Sequence, residues 1–316
     1  MRAGFVMLSS DEAPLLEHSL AAAVAEGFDD GLVIDNASTD ATPEIARRYG
    51  VPRVTVAPRR PYTEAMNAGL QRISTEVVAL LQADTFIAPG YRAACLAALE
   101  DPVVGSVAPK LLRTTGPEDQ DRLPILDAAG MSVDRRRKNR LVGHGSSGQS
   151  YTLAAESFGA DGAAAVYRRQ ALEDCAIEGE VFDENMPGWG CDADLAWRAR
   201  LLGWRSRYEP AAVVHHIRTY SPTTRAHTRP EDRRTQFRNR YLMMAKNDSL
   251  RDLLRDTGPL LLYEVLALGY ALLREPELLR GYLEAARRLP GALARRRVIQ
   301  ARRRVARVPF GLEPPA

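Results

Sequence analysis

The chain has 316 residues, of which 45% are apolar and 26% charged, the composition of an ordinary globular protein. This length excludes a small fold that depends on disulfides or a structural metal, and it suits a catalytic domain with an appendage. The net charge of +3 hides an arginine cluster over 287–307, which favours an anionic partner, either a membrane surface or nucleic acid.

Apolar runs alternate with helical patterns through the first part of the chain. The runs that predict strands are 4–8, 31–35, 51–57 and 76–82. The segments that predict helices are 12–25, the stretch that begins at Thr42, and 63–73. This alternation predicts a mostly parallel sheet, in which ligands bind beyond the carboxyl ends of the strands. Asp35 and Asp84 each lie where a predicted strand ends, so we expect them to face the same crevice.

The middle of the chain is less regular, and its end is helical. Residues 111–157 indicate loops and short strands. The elements predicted after them are a strand at 159–167, a helix at 192–203 and a strand at 211–216. Beyond about 235 the pattern is helical throughout, and 276–307 is amphipathic and very basic. The apolar segment 260–273 is too short to span a bilayer, which needs about 20 apolar residues.

Polar residues follow two of the predicted strands. Asp84 suits a divalent cation, since Mg²⁺ and Mn²⁺ bind carboxylates, although Asp is also a common turn residue. Asp35, with Asn36 and Ser38, can hydrogen-bond a pyrimidine or a ribose, but the same loop also makes a helix cap. The residue types alone leave both alternatives open.

A second group of candidates lies between residues 189 and 216. Asp192 and Asp194 open a predicted helix, where acidic residues also simply complement the helix dipole. His215 and His216 end a predicted strand and must point to opposite faces, so at most one reaches the cleft. Trp189, between two glycines, is suited to stacking on a sugar ring or to filling a gap in the core.

Cysteine usage indicates the compartment. The chain has three cysteines, Cys95, Cys175 and Cys191, which form no CxxC pair and no metal-finger spacing. An odd and sparse set indicates a reducing compartment, and the N-terminus lacks the layout of a signal peptide. The sequence therefore predicts a cytoplasmic protein.

Several of these pieces, taken in order, resemble the family-2 glycosyltransferases, especially the rhamnosyltransferase-like branch of bacterial cell-surface polysaccharide assembly. The matching blocks are VIDNASTDAT (33–42), AMNAGL (65–70), LLQADT (80–85), GADGAAAVYRRQAL (159–172), the long block 182–216 and RNRYLMMAKND (238–248). The resemblance implies a GT-A fold, that is, an α/β, Rossmann-like, mixed and mostly parallel sheet flanked by helices, with a C-terminal helical extension.

The resemblance also implies a domain organisation and an activity. A catalytic domain would cover 1–234, with a nucleotide-sugar half at about 1–110 and an acceptor half at about 111–234, and the basic helical extension would cover 235–316. The activity would be inverting transfer of a sugar, rhamnose being the first choice, from a dTDP- or UDP-sugar to a glycan or lipid-linked acceptor.

The family's functional residues map onto matching positions of this chain. Asp192 aligns with the aspartate of the family's Glu-Asp motif and would be the catalytic base. Asp84 and His216 would hold Mg²⁺ or Mn²⁺, and His215 would point away. The residues implied on the nucleotide-sugar side are Ser9, Asp35, Asn36, Ser38, Arg60, Asn67 and Asp84. Those implied on the acceptor side are Trp189 and Asp194.

Two departures from the family pattern stand out. Gln82 and Ala83 precede Asp84, where the family's metal motif usually has an earlier Asp or an Asn-Pro pair. Cys191 replaces the glutamate before the catalytic aspartate, and it is either a reactive thiol or an inert filler. Both changes favour one alternative function, a catalytically impaired nucleotide- or carbohydrate-binding protein on the same scaffold.

The C-terminal helices leave further alternatives. An amphipathic basic helix can lie on an anionic membrane surface, which would place the protein on the inner face of the plasma membrane. Alternatively, 260–273 packs on the catalytic domain or forms a homodimer face, and 287–307 is a solvated tail. Nucleic-acid binding is not expected, because the chain shows no aromatic platform and no recognition motif for it.

Overall fold

A computed structural model describes residues 1–218, 225 and 228–316. The strands are β1 (Ala3–Ser9), β2 (Asp30–Asp35), β3 (Arg53–Thr55), β4 (Val77–Gln82), β5 (Thr85–Ile87), β6 (Val104–Thr114), β7 (Arg122–Ala129), β8 (Met131–Val133), β9 (Asn139–Leu141), β10 (Ala155–Ser157), β11 (Val166–Arg168) and β12 (Arg205–His216). The helices are α1 (Ala13–Ala25), α2 (Thr42–Arg48), α3 (Tyr62–Leu70), α4 (Tyr91–Ala98), α5 (Arg169–Cys175), α6 (Cys191–Leu201), α7 (Pro230–Asn247), α8 (Leu250–Arg255), α9 (Thr257–Leu273) and α10 (Leu278–Arg302).

One mixed sheet forms the centre of the molecule. Its main path runs β10-β12-β6-β11-β4-β1-β2-β3, with β5 paired to β12 and β7 paired to β6. The first four strands are parallel to one another, as their alternation with helices predicts, and β11 enters antiparallel between β4 and β6. β4 carries the apolar run VVALL and is buried along it, since it lies between two strands and two helical layers. The predicted α/β fold with helices on the sheet is confirmed.

Close packing of α3 on the sheet depends on a glycine. A Cβ on Gly69 would lie 2.4 Å from Cδ1 of Ile34 and 2.8 Å from Cγ1 of Val6. The side chains of β1 and β2 therefore leave no room for a larger residue at this position of the AMNAGL block. This contact holds α3 directly over the two strands that lead into the predicted nucleotide loop.

The predicted strand at 159–167 is mostly wrong. Only Val166–Arg168 is a strand, and the residues before it form a loop that crosses the face of α6. A Cβ on Gly159 would lie 2.4 Å from Cβ of Ala196, so this loop lies directly against the helix. The loop carries Asp161 and Gly162 to the first turn of α6, which a continuous strand would not do.

The last part of the chain packs as helices on the catalytic part. Four residues of α10, each seven positions after the last, are buried: Leu278, Ala285, Ala292 and Ile299. This spacing keeps one stripe of the helix in contact, as in helical bundles. Ala292 and Ile299 join a core that also contains Trp197 of α6 and Leu242 of α7. The alternative of a solvated tail over 287–307 is therefore wrong for residues up to Arg302.

The helical part also bears on the predicted domain boundary and on membrane insertion. The predicted boundary at 235 falls inside α7, which begins at Pro230. Within the described residues, no helix combines the length and the apolar character that crossing a bilayer requires.

Candidate active site

The ends of β4 and β12 bring an aspartate and a histidine together. Asp84 lies two residues after β4, and His216 is the last residue of β12. β5 pairs antiparallel with β12, with Thr85 opposite His216, so the register brings the two side chains to one edge. Oδ2 of Asp84 is 3.6 Å from Nε2 of His216. Oδ1 of Asp84 is buried and has no hydrogen-bond partner among the described residues.

A buried carboxylate, which sequence reasoning missed, orients this histidine. Nδ1 of His216 is 2.9 Å from Oδ2 of Asp127, whose side chain is fully buried in β7. Burial alone would lower the pKa of His216, but its hydrogen bond to Asp127 and the nearby Asp84 carboxylate outweigh burial and raise the pKa to about 9. Burial would raise the pKa of Asp127, yet the bond from His216 and the charge of Arg218 bring it well below its usual value.

Arg218 connects this pair to the loop before α6. Its guanidinium is 2.8 Å from Oδ2 of Asp127 and 3.3 Å from Oδ2 of Asp161. Both carboxylates are buried or nearly so, which makes each contact a charge-assisted bond in a poorly solvated place. Arg218 and Asp161 had no assigned role in the sequence, although Asp161 lies inside the GADG block.

Asp192 occupies the first turn of α6 and is only part-exposed. Its Oδ1 accepts a bond from its neighbour's N–H in the helix, and Oδ2 lies 3.4 Å from the N–H of Gly162. Burial, together with the charge of Asp161, raises the pKa of Asp192 to about 6. A carboxylate with this pKa is ionised at neutral pH and is basic enough to take up a proton in a reaction.

The Gly162 peptide joins the two carboxylate sites. While its N–H faces Asp192, its carbonyl accepts bonds from the Gln82 amide at 3.2 Å and from the Tyr62 hydroxyl at 3.3 Å. Gln82 ends β4, two residues before Asp84. The strand end that bears Asp84 and the helix end that bears Asp192 are therefore connected through this one peptide.

The loop after β2 is closed by its own side chains. Oδ1 of Asp35 accepts a bond from the Ser38 N–H at 2.9 Å, and Oδ2 pairs with Arg53 at 2.6 Å. The Ser38 hydroxyl accepts from the N–H of Asp11 at 3.1 Å. The carboxylate thus caps its loop, and with about four acceptor positions it still has capacity for a ligand. The nucleotide contacts of Asp35 and Ser38 stay predictions.

Arg60 is held beside the same loop. The Asn36 amide pairs with the Arg60 backbone, donating to its carbonyl at 2.9 Å and accepting from its N–H at 2.8 Å. The Arg60 side chain is exposed, and its nearest acid is Glu64 at 3.5 Å. Its guanidinium is therefore free to turn towards a phosphate.

Comparison with known proteins defines the family. The sequence profile of the family described as Glycosyl transferase family 2 matches residues 5–175, just over half of the chain. The chain belongs to this family.

Among curated relatives, this glycosyltransferase is 33% identical over 153 residues to a pre-mycofactocin glycosyltransferase of Mycobacterium tuberculosis. That match covers 48% of the chain and 29% of the relative, so the chain spans less than a third of that protein. It is 34% identical over 131 residues to an uncharacterized glycosyltransferase of Mycobacterium bovis, a match that covers 36% of the chain and 59% of the relative.

Solved structures of low sequence identity share the fold. A mannosyltransferase of Pyrobaculum calidifontis, in complex with GDP-Man and Mn²⁺, has a TM-score of 0.54 at 22% identity and covers 93% of this chain and 75% of its own. S. aureus TarS 1-349 in complex with UDP-GlcNAc has a TM-score of 0.59 at 15% identity, covering 96% and 88%. GalNAc-T7 with UDP, GalNAc and Mn²⁺ has a TM-score of 0.61 at 14% identity, covering 78% of this chain and 48% of its own.

A divalent cation fits the residues at the end of β4. Asp84 offers a carboxylate oxygen without a partner, and the Nε2 of His216 faces the same carboxylate. Among the described residues, no group of three or more metal-ligating side chains comes together. A cation held by this glycosyltransferase would therefore take its other ligands from the donor's phosphates and from water, as Mg²⁺ commonly does.

Three of the side chains predicted to contact the nucleotide sugar are buried and form hydrogen bonds within the protein instead. Their predicted direct contacts with the donor are therefore wrong. The Ser9 hydroxyl is fully buried, 3.3 Å from that of Thr42. Asn36 is buried, with both amide atoms on the Arg60 backbone. The buried Asn67 amide accepts from the Phe182 N–H at 2.9 Å and donates to its carbonyl at 2.8 Å. Each side chain uses its hydrogen bonds to position a neighbouring segment of the protein.

The predicted acceptor role of Asp194 is also wrong. Its side chain is fully buried and bonds to Arg198 at 2.9 Å, Lys246 at 2.8 Å and the Asn247 amide at 2.7 Å. Helical geometry explains this, because residues two positions apart point about 200° away from each other. Because Asp192 points towards the Gly162 loop, Asp194 faces α7.

Trp189 and Cys191 flank Gly190, which precedes the first turn of α6. Gly190 has φ 84 and allows the chain to enter α6 abruptly. Trp189 is half-buried, and its carbonyl accepts from the Asn239 amide at 2.8 Å, so its predicted acceptor contact stays a prediction. Cys191 is buried, and burial raises the pKa of its thiol well above the usual value. This favours the inert filler over the reactive thiol.

Proposed function

We propose that this glycosyltransferase transfers a sugar, with inversion, from a dTDP- or UDP-sugar to a hydroxyl of a glycan or lipid-linked acceptor, with Asp192 as the base. The observation that carries the proposal is the part-exposed Asp192 carboxylate, whose pKa is raised to about 6 and which contacts the same Gly162 peptide as the end of the strand that leads to Asp84 and His216. A base and a phosphate-binding edge in one crevice are what a single displacement at the anomeric carbon requires.

The reaction would proceed in one step. The acceptor oxygen forms a bond to the anomeric carbon while the bond from that carbon to the diphosphate oxygen breaks. The acceptor proton passes to a carboxylate oxygen of Asp192, and the bonding electrons leave with the diphosphate. A divalent cation, when bound by Asp84 and His216, would neutralise part of the diphosphate charge. The exposed Arg60 would contact the same phosphates, or Arg59 beside it.

The donor and the cation are proposed partly from solved relatives. Three structures of the same fold contain UDP, UDP-GlcNAc or GDP-Man, and two of them contain Mn²⁺. These bound groups support a nucleotide-sugar donor and Mg²⁺ or Mn²⁺ here. dTDP-rhamnose is the first donor to test, because the sequence resembles the rhamnosyltransferase-like branch, whose role is cell-surface polysaccharide synthesis.

We propose that the protein works on the cytoplasmic side, in peripheral contact with the plasma membrane. The three cysteines are free and buried, in agreement with a reducing compartment. A lipid-linked acceptor would bring the chain to the membrane surface. The catalytic domain would be 1–234, with a nucleotide-sugar half and an acceptor half that meet at the crevice.

The test is a panel of nucleotide sugars with and without Mn²⁺. Thermal shift reports binding, because a true donor raises the apparent stability by mass action. Release of nucleoside diphosphate from the stabilising donor reports turnover. We expect one donor to do both, with more release when Mn²⁺ is present. Stabilisation by a donor that is never turned over, with any acceptor glycan offered, would favour the impaired binding protein, and no stabilisation by any donor would contradict the proposal.

A further inference from the structure

Helix α9 carries its apolar side chains on the outside of the molecule. Seven aliphatic side chains of the helix are exposed, among them Leu262 at 62% and Leu273 at 83%. The seven are Leu261, Leu262, Val265, Leu266, Leu268, Leu272 and Leu273. At 100° per residue they fall on one side of the helix, and we call this side the α9 apolar surface. An exposed apolar patch of this kind on a protein surface marks an interaction site.

The opposite side of α9 faces the protein and combines two buried apolar residues, Leu260 and Ala271, with polar contacts. The Glu264 carboxylate accepts a bond from Arg240 of α7 at 2.7 Å. The Tyr263 ring lies 4.4 Å from the same guanidinium, and the Tyr270 hydroxyl donates to Glu275 at 2.8 Å. A surface helix of a water-soluble domain normally has the reverse polarity. The inward polar contacts fix α9 with its leucines outward, so these leucines do not pack on the catalytic part.

The preceding helix extends the same apolar character. In α8, Leu250 is 70% exposed and Leu254 is 68% exposed. α8 is joined to α9 through Asp256, which is buried and bound by Arg135 and Arg137. This anchoring holds the two helices together as one unit on the body of the protein.

Charges around the surface are strongly one-sided. Every aspartate and glutamate side chain after residue 249 forms an ion pair with an arginine. Arg251 on α8 and Arg274 at the end of α9 are exposed, and neither has an acidic partner among the described residues. The apolar surface therefore has free positive charge at both ends and no free negative charge.

We propose that the α9 apolar surface docks on an anionic lipid bilayer, with the leucines at the level of the acyl chains and Arg251 and Arg274 at the lipid phosphates. Amphipathic segments that combine an apolar side with flanking basic residues bind in the plane of the membrane interface. A second copy of the chain is a poorer occupant, because a two-fold interface would place identical arginine-flanked surfaces against each other. This docking does not depend on the chemistry of sugar transfer.

The test is cosedimentation of the full chain with vesicles of pure phosphatidylcholine and of an equimolar mixture with phosphatidylglycerol. We expect binding to the anionic vesicles and much weaker binding to the neutral ones. Leu262→Glu/Leu266→Glu should reduce the partition coefficient at least about tenfold, since a charge inserted at the interface opposes burial of the helix. Leu153→Glu is the matched control, because Leu153 is 66% exposed but lies outside the surface.

The arginines are tested separately. Arg251→Gln/Arg274→Gln should weaken binding to anionic vesicles by about fivefold for each arginine, the usual contribution of a basic residue near such a surface. Arg47→Gln/Arg72→Gln removes two exposed arginines from the nucleotide half and should change binding little. Similar losses for test and control variants, or no binding to anionic vesicles, would overturn the proposal.

Light scattering after size-exclusion chromatography tests whether a second copy of the chain, rather than lipid, covers the α9 apolar surface. A wild-type dimer that Leu262→Glu/Leu266→Glu converts to a monomer would overturn lipid docking in favour of a second copy. The same samples are assayed for donor turnover in the absence of vesicles. Because the substituted leucines lie outside the crevice, turnover should match wild type, so a failure of docking and a failure of the proposed function give different results.

Discussion

The side-chain amide of Gln82 donates a hydrogen bond to the carbonyl of Gly162 at 3.2 Å. A carboxylate at position 82, where the family's metal motif usually has an earlier acid, has no N–H to donate. The departure from the motif is therefore matched by a bond that ties the end of β4 to the loop facing Asp192. It removes one possible metal ligand and adds a link between the two halves of the crevice.

Restoring an acid at this position should harm the enzyme. In Gln82→Glu, the Gly162 carbonyl keeps only the Tyr62 hydroxyl as a donor and faces a negative charge, a change that costs about 1–3 kcal/mol. We expect kcat/KM to fall by about tenfold or more on this basis. Gln82→Ala removes the bond without the charge and should be less damaging. A Glu variant as active as wild type, measured with the donor identified by thermal shift, would contradict this account.

Removing the proposed base should separate binding from chemistry. Asp192→Asn keeps the size of the side chain but cannot accept the proton, so we expect kcat to fall by about 10²–10⁴-fold. The proposed donor contacts lie on the β2 and β4 side, so the donor's effect on Tm should be nearly unchanged. Asp119→Asn, at an exposed position, is the control. Turnover by Asp192→Asn close to wild type would show that another group is the base.

The rate should depend on pH through the same carboxylate. Asp192 must be ionised to accept a proton, and its pKa is about 6. kcat/KM should therefore be low in acid, rise through about pH 6 and level off above it. After burial, the main cause of the raised pKa is the charge of Asp161. Asp161→Asn should lower the pKa of Asp192 and move the rising limb to lower pH. If the rising limb stays at the same pH or moves to higher pH, the charge of Asp161 is not what raises the pKa of Asp192.

Short motifs predict candidate site residues, because they mark strand and helix ends. Asp84, His216 and Asp192 each sit at such an end; the structure brings Asp84 next to His216 and connects Gln82 to Asp192 through the Gly162 peptide. Asp127 could not be found this way. It is a single acid in the apolar strand β7, and its contact with His216 joins residues 89 positions apart. An aspartate between apolar neighbours was the only signal, since buried acids are rare unless paired.

Side-chain direction was the other feature that could not be predicted. Asp194 looked equivalent to Asp192 in sequence, and only the position of α7 decides which of them is buried. The apolar segment 260–273 likewise resembled a core helix, because composition does not tell which side of a helix meets the protein. Glu264 decides it here, through its ion pair with Arg240.

The support of His216 by Asp127 predicts an effect on metal binding. Asp127→Asn keeps the shape of the side chain but loses the charge that orients the imidazole. Loss of such an outer partner typically weakens metal affinity by about 10–100-fold. We expect this reduction for Mn²⁺, measured by calorimetric titration with UDP present, and a matching rise in the Mn²⁺ concentration needed for turnover. Unchanged Mn²⁺ affinity together with reduced turnover would exclude the metal role of His216.

A buried lysine joins α7 to α6, and its loss should destabilise the whole chain. Nζ of Lys246 is fully buried, 2.8 Å from Asp194, and is also bonded to Asp183. In Lys246→Met, these buried carboxylates lose a partner that Arg198 and Arg295 replace only in part. Breaking a buried ion pair from one side costs about 3–5 kcal/mol of unfolding free energy. Urea-induced unfolding measures this loss.

Lys138→Met is the matched control for this substitution, because Lys138 is exposed and its replacement should cost little. Since Asp194 lies one turn or less from Asp192 in α6, Lys246→Met should also lower kcat, by displacing the first turn of that helix. Asn247→Ala removes only one bond to Asp194 and should cost about 1 kcal/mol. If Lys246→Met and Lys138→Met unfold at the same urea concentration, the cluster does not hold α6 to the C-terminal helices.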